Sequence, residues 1–163
     1  MLVVHGTKKF LDRVRGTPAT EQDSSTTLLG SWYATTLFWK PQVALFVNEV
    51  TLLPLLLPFA PAASLLERFS EAAGSVLRAH RVRAGFVKAE VTEMAEARVS
   101  KTKNRSILGI MNEFAYLGEV WHRGDLLELS LRLAETPCSP LDRRHGSPDR
   151  ELAAFVSEHS PDS

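Results

Sequence analysis

The sequence predicts a single α+β domain in which a small antiparallel sheet packs against several helices. Its length of 163 residues, with 44% hydrophobic and 23% charged residues, is typical of one globular domain with a substantial core. Two adjacent apolar runs, separated by the polar pair Asn48-Glu49, are typical of a β-hairpin. Two amphipathic patterns at 65–80 and 105–120 predict helices that cover the sheet.

The elements before the hairpin are short. Residues 2–4 are an apolar, β-branched run that predicts a strand, followed by a turn and a helix over 7–14. Residues 16–27 are rich in Gly, Pro, Ser and Thr without apolar periodicity, which indicates a surface loop. Residues 29–39 favour a helix over a strand, because four of their side chains fall on one helical stripe. These four are Trp32, Thr35, Thr36 and Trp39.

The hairpin spans 42–57, with its tip at Asn48-Glu49. Pro54 has no N–H group to donate, so the second strand of the hairpin is expected at the edge of the sheet. Alternating apolar residues predict a further strand over 86–91, and a last strand is expected over 96–102.

The C-terminal third contains two more helical patterns. Asp125 with Glu128 is similar to a capping box and favours a helix over 126–136, although alternation there also allows a strand. A short helical pattern follows at 148–159.

Pro137 and Pro140 mark a change in organisation. We therefore assign residues 1–137 to the α+β domain. Residues 138–163 are interpreted as a Pro-rich connection and a short C-terminal helical segment.

The cysteine, histidine and motif content excludes several classes of protein. Cys138 is the only cysteine, so an intrachain disulfide and a Cys-rich zinc site are excluded, and a cytoplasmic location fits best. The five histidines lack metal-ligand spacing, and the Gly-rich nucleotide-binding and nucleophile-elbow motifs are absent. Three prolines break the uncharged stretch between Glu49 and Glu67. We expect no metal, no cofactor and no membrane span.

Charge is balanced over the chain but uneven along it. Residues 76–105 carry eight basic and three acidic residues, whereas residues 106–163 carry five basic and ten acidic residues. Two interpretations remain open. The two regions compensate each other within the fold, or the basic region forms a patch that contacts phosphate.

The most informative segment lies at the start of the predicted helix at 105–120. Lys101, Lys103 and Arg105 precede or open this helix, and Asn104 or Ser106 is suited to cap it. Cations beside the N–H groups of a helix start make an anion site. Gly109, in the second turn, indicates close packing or the close approach of a ligand. The candidate binding residues are Trp32, Asn48, Glu49, Lys101, Lys103, Asn104, Arg105, Ser106, Asn112 and Glu113.

Several of these residues also carry a family resemblance. Its markers are Trp32-Tyr33, Asn48-Glu49-x-Thr51 and Arg105-Ser106-x-Leu108-Gly109-x-Met111-Asn112-Glu113, which are specific as a set. Over about residues 1–150 the chain resembles a bacterial family of small proteins classed as a domain of unknown function. The resemblance implies no activity and no catalytic residues. It implies that the segment at 105–113 matters beyond packing, because a core does not require Arg, Ser and Asn.

Three functional hypotheses follow. The first is a non-enzymatic cytoplasmic interaction or regulatory module whose basic surface at 98–105 contacts nucleic acid. The second is a small enzyme with a polar pocket. The third is a module for a protein partner or for self-association, through the hairpin edge or the C-terminal segment. The pocket of the second hypothesis would be built from Asn48, Glu49, Arg105, Asn112 and Glu113.

Overall fold

The computed structural model describes residues 1–122 and 124–159. Its strands are β1 (Leu2–Gly6), β2 (Trp32–Leu37), β3 (Val43–Asn48), β4 (Pro54–Pro58) and β5 (Ala97–Lys101). Its α-helices are α1 (Lys8–Leu11), α2 (Leu65–Ala79), α3 (Ala84–Glu93), α4 (Arg105–Trp121), α5 (Leu126–Leu133) and α6 (Pro148–His159). Two 3-10 helices span Ala62–Ser64 and Ser139–Leu141.

The five strands form one mixed sheet in the order β4-β3-β2-β1-β5. The predicted α+β class is confirmed, and the hairpin of β3 and β4 is antiparallel as expected. The sheet is not antiparallel throughout, because β1 pairs in parallel with both β2 and β5. Parallel strands need a long crossover connection. Helix α1 and the loop after it connect β1 to β2, and helices α2 and α3 connect β4 to β5.

Helices cover both faces of the sheet. Successive side chains of a strand point to opposite faces. Trp32 and Phe46 therefore belong to the core shared with α2 and α3, whereas Tyr33 and Leu45 belong to the core shared with α4 and α5. The two cores make a three-layer arrangement with the sheet in the middle.

Most of the predicted elements are confirmed. The helices α2, α4, α5 and α6 and the strands β1 and β5 lie where the sequence predicts them. The helical interpretation of 126–136 is correct, because Asp125 caps α5 by accepting hydrogen bonds from the N–H groups of Leu127 and Glu128. Pro54 lies in the edge strand β4.

Two predictions of secondary structure are wrong. Residues 32–37 form β2, not a helix, and all six are buried because both faces of this central strand are covered. Residues 86–91 belong to α3, not to a strand. The buried side chains of α3 and its C-cap are Phe86, Val87, Glu90 and Met94, a helical spacing that includes one acidic residue.

Helix α5 of the same chain covers the outer edge of strand β4. Ser130 of α5 is completely buried, and its Oγ accepts a hydrogen bond of 2.9 Å from the N–H of Leu56. The same hydroxyl donates to the carbonyl of Leu126 at 2.8 Å. Helix α5 therefore covers the strand through which self-association of the hairpin was expected.

The segment after residue 137 packs against the rest of the fold. Cys138 and Leu141 belong to the core under α4, and Leu152 and Val156 belong to the core under α2. The division of the chain at residue 137 itself stays a prediction. Among the described residues, every helix is too short or too polar to span a bilayer.

Candidate functional site

The parallel strands β1 and β5 end side by side, and basic residues follow each of them. Gly6 at the end of β1 pairs with Lys101 at the end of β5, and the N–H of Thr102 donates to the carbonyl of Gly6 at 3.3 Å. Helix α1 begins directly after β1, and α4 begins shortly after β5. Five exposed cations thus meet at this end of the sheet, and we call them the basic edge: Lys8, Lys9, Lys101, Lys103 and Arg105.

Acidic residues hardly neutralise the basic edge. Lys8 pairs with Asp12, with 3.2 Å between Nζ and Oδ2. Within residues 1–122 and 124–159, the other four members form no ion pair. The Nζ of Lys9 lies 5.4 Å from the ring centroid of Phe38, which is 61% exposed. In the part of the chain that the structure describes, ion pairs with the acidic C-terminal third therefore do not compensate the basic edge.

The start of α4 is capped by Asn104. Its Oδ1 accepts hydrogen bonds from the N–H groups of Ser106 and Ile107 at 2.9 and 3.2 Å. This confirms one of the two expected caps, and Ser106 instead lies exposed in the first turn. Because the cap occupies these N–H groups, the positive potential of the basic edge comes mainly from its side chains.

Gly109 leaves the second turn of α4 open. A Cβ added there would meet no atom within 4 Å. Close packing therefore does not account for this glycine. The helix surface next to the basic edge is accessible to a ligand.

Two ring side chains connect β1 and β2 to the basic edge. The rings of His5 and Tyr33 lie 4.9 Å apart, and Nδ1 of His5 lies 3.2 Å from the carbonyl oxygen of Lys101. Burial and the negative charge of Glu49 raise the pKa of Tyr33. A hydrogen bond from the N–H of Asn104 lowers this pKa and so offsets part of the rise. The phenol therefore stays neutral at physiological pH and links β2 to the beginning of α4.

Asn48 has a structural role at the hairpin tip. It is fully buried, its Nδ2 donates to the carbonyl of Leu29 at 2.9 Å, and its Oδ1 accepts from the N–H groups of Val50 and Thr51. These bonds use its carboxamide within the protein. The neighbouring Glu49 is exposed and accepts a 2.9 Å hydrogen bond from the N–H of Ser31.

Trp32 also has a structural environment. It is completely buried, with its ring 5.2 Å from that of Phe69 in an edge-to-face arrangement. Its Nε1 is buried and has no hydrogen-bond partner among the described residues.

The residues of the expected polar pocket lie at the hairpin tip and along α4. Asn112 and Glu113 are exposed on α4, and Glu113 lies about 12 Å along the helix from Arg105, at 1.5 Å per residue. Burial, followed by the charges of Glu113 and Asp142, raises the pKa of Cys138 to about 11. The charge of Glu113 therefore affects the thiol of Cys138. Asn48 is enclosed in the hairpin.

Sequence reasoning missed part of the basic edge. Lys8 and Lys9 were not among the candidate residues, although they follow the first predicted strand directly. The order of the strands brings them beside Lys101. Within the described ranges, no group of three His, Cys, Asp or Glu side chains is arranged to hold a metal ion.

The fold and the basic edge define a small three-layer α+β domain with a cationic end. The chain belongs to the family described as Domain of unknown function (DUF6933), whose model matches residues 3–151. This match confirms that the chain resembles a domain family of unknown function. No curated protein and no solved structure matches the chain.

Proposed function

We propose that the chain is a non-enzymatic interaction module of the bacterial cytoplasm that contacts the phosphate backbone of nucleic acid. The observation that carries this proposal is the basic edge, where five exposed cations from two separate parts of the chain meet at the ends of β1 and β5. A regulatory role through nucleic-acid binding is consistent with this surface, and a cytoplasmic location is consistent with a lone, buried cysteine.

The charge pattern suits a phosphate backbone better than a single phosphate group. The cations follow the ends of two neighbouring strands, and Asp12 is the only carboxylate paired with them among the described residues. Proteins that bind single strands combine such a surface with aromatic side chains on which bases stack. Phe38 offers an exposed ring beside Lys9 and supports this interpretation.

The experiment is a salt titration of binding. Fluorescein-labelled single-stranded DNA and RNA of about 20 nucleotides are titrated with the protein, and anisotropy is followed at increasing salt. Each phosphate contact contributes about −0.7 to the slope of log K against log salt for single strands. Full engagement of five cations therefore gives a slope of about −3.5.

A charge-matched pair of variants tests the site. Substituting Lys101, Lys103 and Arg105 together by Ala should reduce the slope by about 2 and weaken binding at low salt. The control substitutes three other exposed cations by Ala and changes the net charge equally. Equal losses in both variants, or no binding at about 50 mM salt, would refute the proposal. The control residues are Lys88, Arg143 and Arg150.

A further inference from the structure

A second cationic site lies away from the basic edge, in a cavity of about 310 Å³ between the C-terminal end of α2 and the helix α6. Val82, Leu152 and Val156 give the cavity an apolar wall. His80, Arg81 and Arg83 line it beside these residues, and no acidic residue in the ranges 1–122 and 124–159 does. An apolar cavity with a few polar groups at one side is the common form of a small-molecule site.

The backbone at Arg81 points to a role for its side chain. Helix α2 ends with two hydrogen bonds, from the N–H of Arg81 to the carbonyl of Arg78 and from the N–H of Val82 to the carbonyl of Leu77. This is the Schellman pattern, whose left-handed position is usually Gly. Arg81 occupies that position with φ +63°. The sequence thus keeps a long cationic side chain where glycine would be less strained.

His80 supplies the second observation. Its Nε2 is buried and has no hydrogen-bond partner among the described residues. Burial lowers the pKa of His80, against the opposing charges of Asp149 and Glu135, so the ring is neutral at physiological pH. The positive charge at the cavity therefore comes from arginine, which forms paired hydrogen bonds with carboxylates.

We infer that this cavity binds a small organic carboxylate with an apolar body, with Arg81 at the carboxylate and Val82, Leu152 and Val156 around the apolar part. Among the described residues Arg81 forms no ion pair. The volume lies near the lower limit of about 300 Å³ for ligand sites, which restricts the ligand to a small molecule. The inference does not depend on the nucleic-acid proposal, because the two sites share no residue.

The experiment uses benzoate as the probe and follows the backbone amide signals of the full chain by NMR. Benzamide tests the need for the negative charge, and inorganic phosphate tests the need for the apolar body. We expect saturable shifts at Arg81, Val82 and Ala153 with benzoate, and binding at least about 10-fold weaker for benzamide and for phosphate. Equal binding of the three probes, or no saturation by benzoate up to about 20 mM, would overturn the inference.

Arg81→Gly separates the ligand role from the stability of the fold. This variant should weaken benzoate binding at least about 10-fold and raise the melting temperature by about 2 to 4 °C, because glycine removes the left-handed strain. Arg78→Ala is the control, since Arg78 is exposed in the last turn of α2 and does not line the cavity. Unchanged benzoate binding in Arg81→Gly, or an equal loss in Arg78→Ala, would contradict the assignment.

Discussion

Removing the hydroxyl of Ser130 should destabilise the whole fold, although the side chain is small. The Oγ of Ser130 is the acceptor for the N–H of Leu56 in the edge strand β4. In Ser130→Ala this N–H is left without a partner in a region that α5 shields from water. The helix itself keeps its backbone bonds, so the effect falls on the contact between α5 and the sheet.

The magnitude follows from two opposing effects. A buried donor without a partner costs about 1 to 3 kcal/mol. Alanine has a higher helix propensity than serine, and this difference offsets roughly 0.5 kcal/mol of the lost stability. The free energy of unfolding should therefore fall by about 0.5 to 2.5 kcal/mol, and the melting temperature by about 1 to 10 °C for a chain of this size.

Urea denaturation followed by tryptophan fluorescence measures this change. The midpoint should move to lower urea while the slope m stays the same, because both states keep their exposed surface. Ser70→Ala is the control: the Oγ of Ser70 donates to the carbonyl of Glu67 at 2.9 Å on the exposed side of α2. If the midpoints of Ser130→Ala and Ser70→Ala coincide, the hydroxyl of Ser130 does not hold β4 as described.

Three further predictions concern Gly30, Glu90 and Cys138. Gly30→Ala should lower the free energy of unfolding by about 1 to 2 kcal/mol, because φ is +74° and a Cβ would lie 2.6 Å from Oε1 of Glu49; an unchanged urea midpoint would contradict this. Burial raises the pKa of Glu90 above its ordinary value of 4.5, so the folded state holds this proton more tightly than the unfolded state. The free energy of unfolding of the parent, minus that of Glu90→Gln, should therefore be greatest below about pH 4.5 and fall as the pH rises through the folded-state pKa of Glu90. Urea titrations at several pH values measure this difference, and a difference that grows with pH would refute the prediction. Burial raises the pKa of Cys138 to about 11, so iodoacetamide should alkylate this thiol only when the protein unfolds. Rapid alkylation of the native protein would contradict this prediction.

Different signals made the correctly predicted elements visible in the sequence. Helix α2 shows its apolar spacing because its other face is solvated, and the β3–β4 hairpin shows its polar tip. Strand β2 is buried on both faces, so it lacks the alternation that distinguishes a strand from a helix. In α3 the buried Glu90 interrupts the apolar pattern, because its carboxylate binds the N–H groups of Leu28 and Leu29.

The basic edge was only half visible in the sequence for a different reason. Lys101, Lys103 and Arg105 are close along the chain, so a charge count finds them. Lys8 and Lys9 join them because β1 and β5 are neighbours, and strand order depends on contacts distant in sequence. The sequence also does not reveal how Asn48 is used: its carboxamide has the chemistry of a binding residue, but the hairpin tip uses its hydrogen-bonding groups.

The pairing of β1 with β5 also sets an order of events during synthesis of the chain. Residue 2 leaves the ribosome well before residue 97, which is its parallel partner in the sheet. Contacts this distant in sequence form slowly, since a long loop must close before they contribute. Until β5 emerges, one side of β1 lacks its partner, while the hairpin of β3 and β4 can already close locally. The cationic end of the sheet therefore forms only after β1 has paired with β5. A nascent chain that ends before residue 97 lacks it.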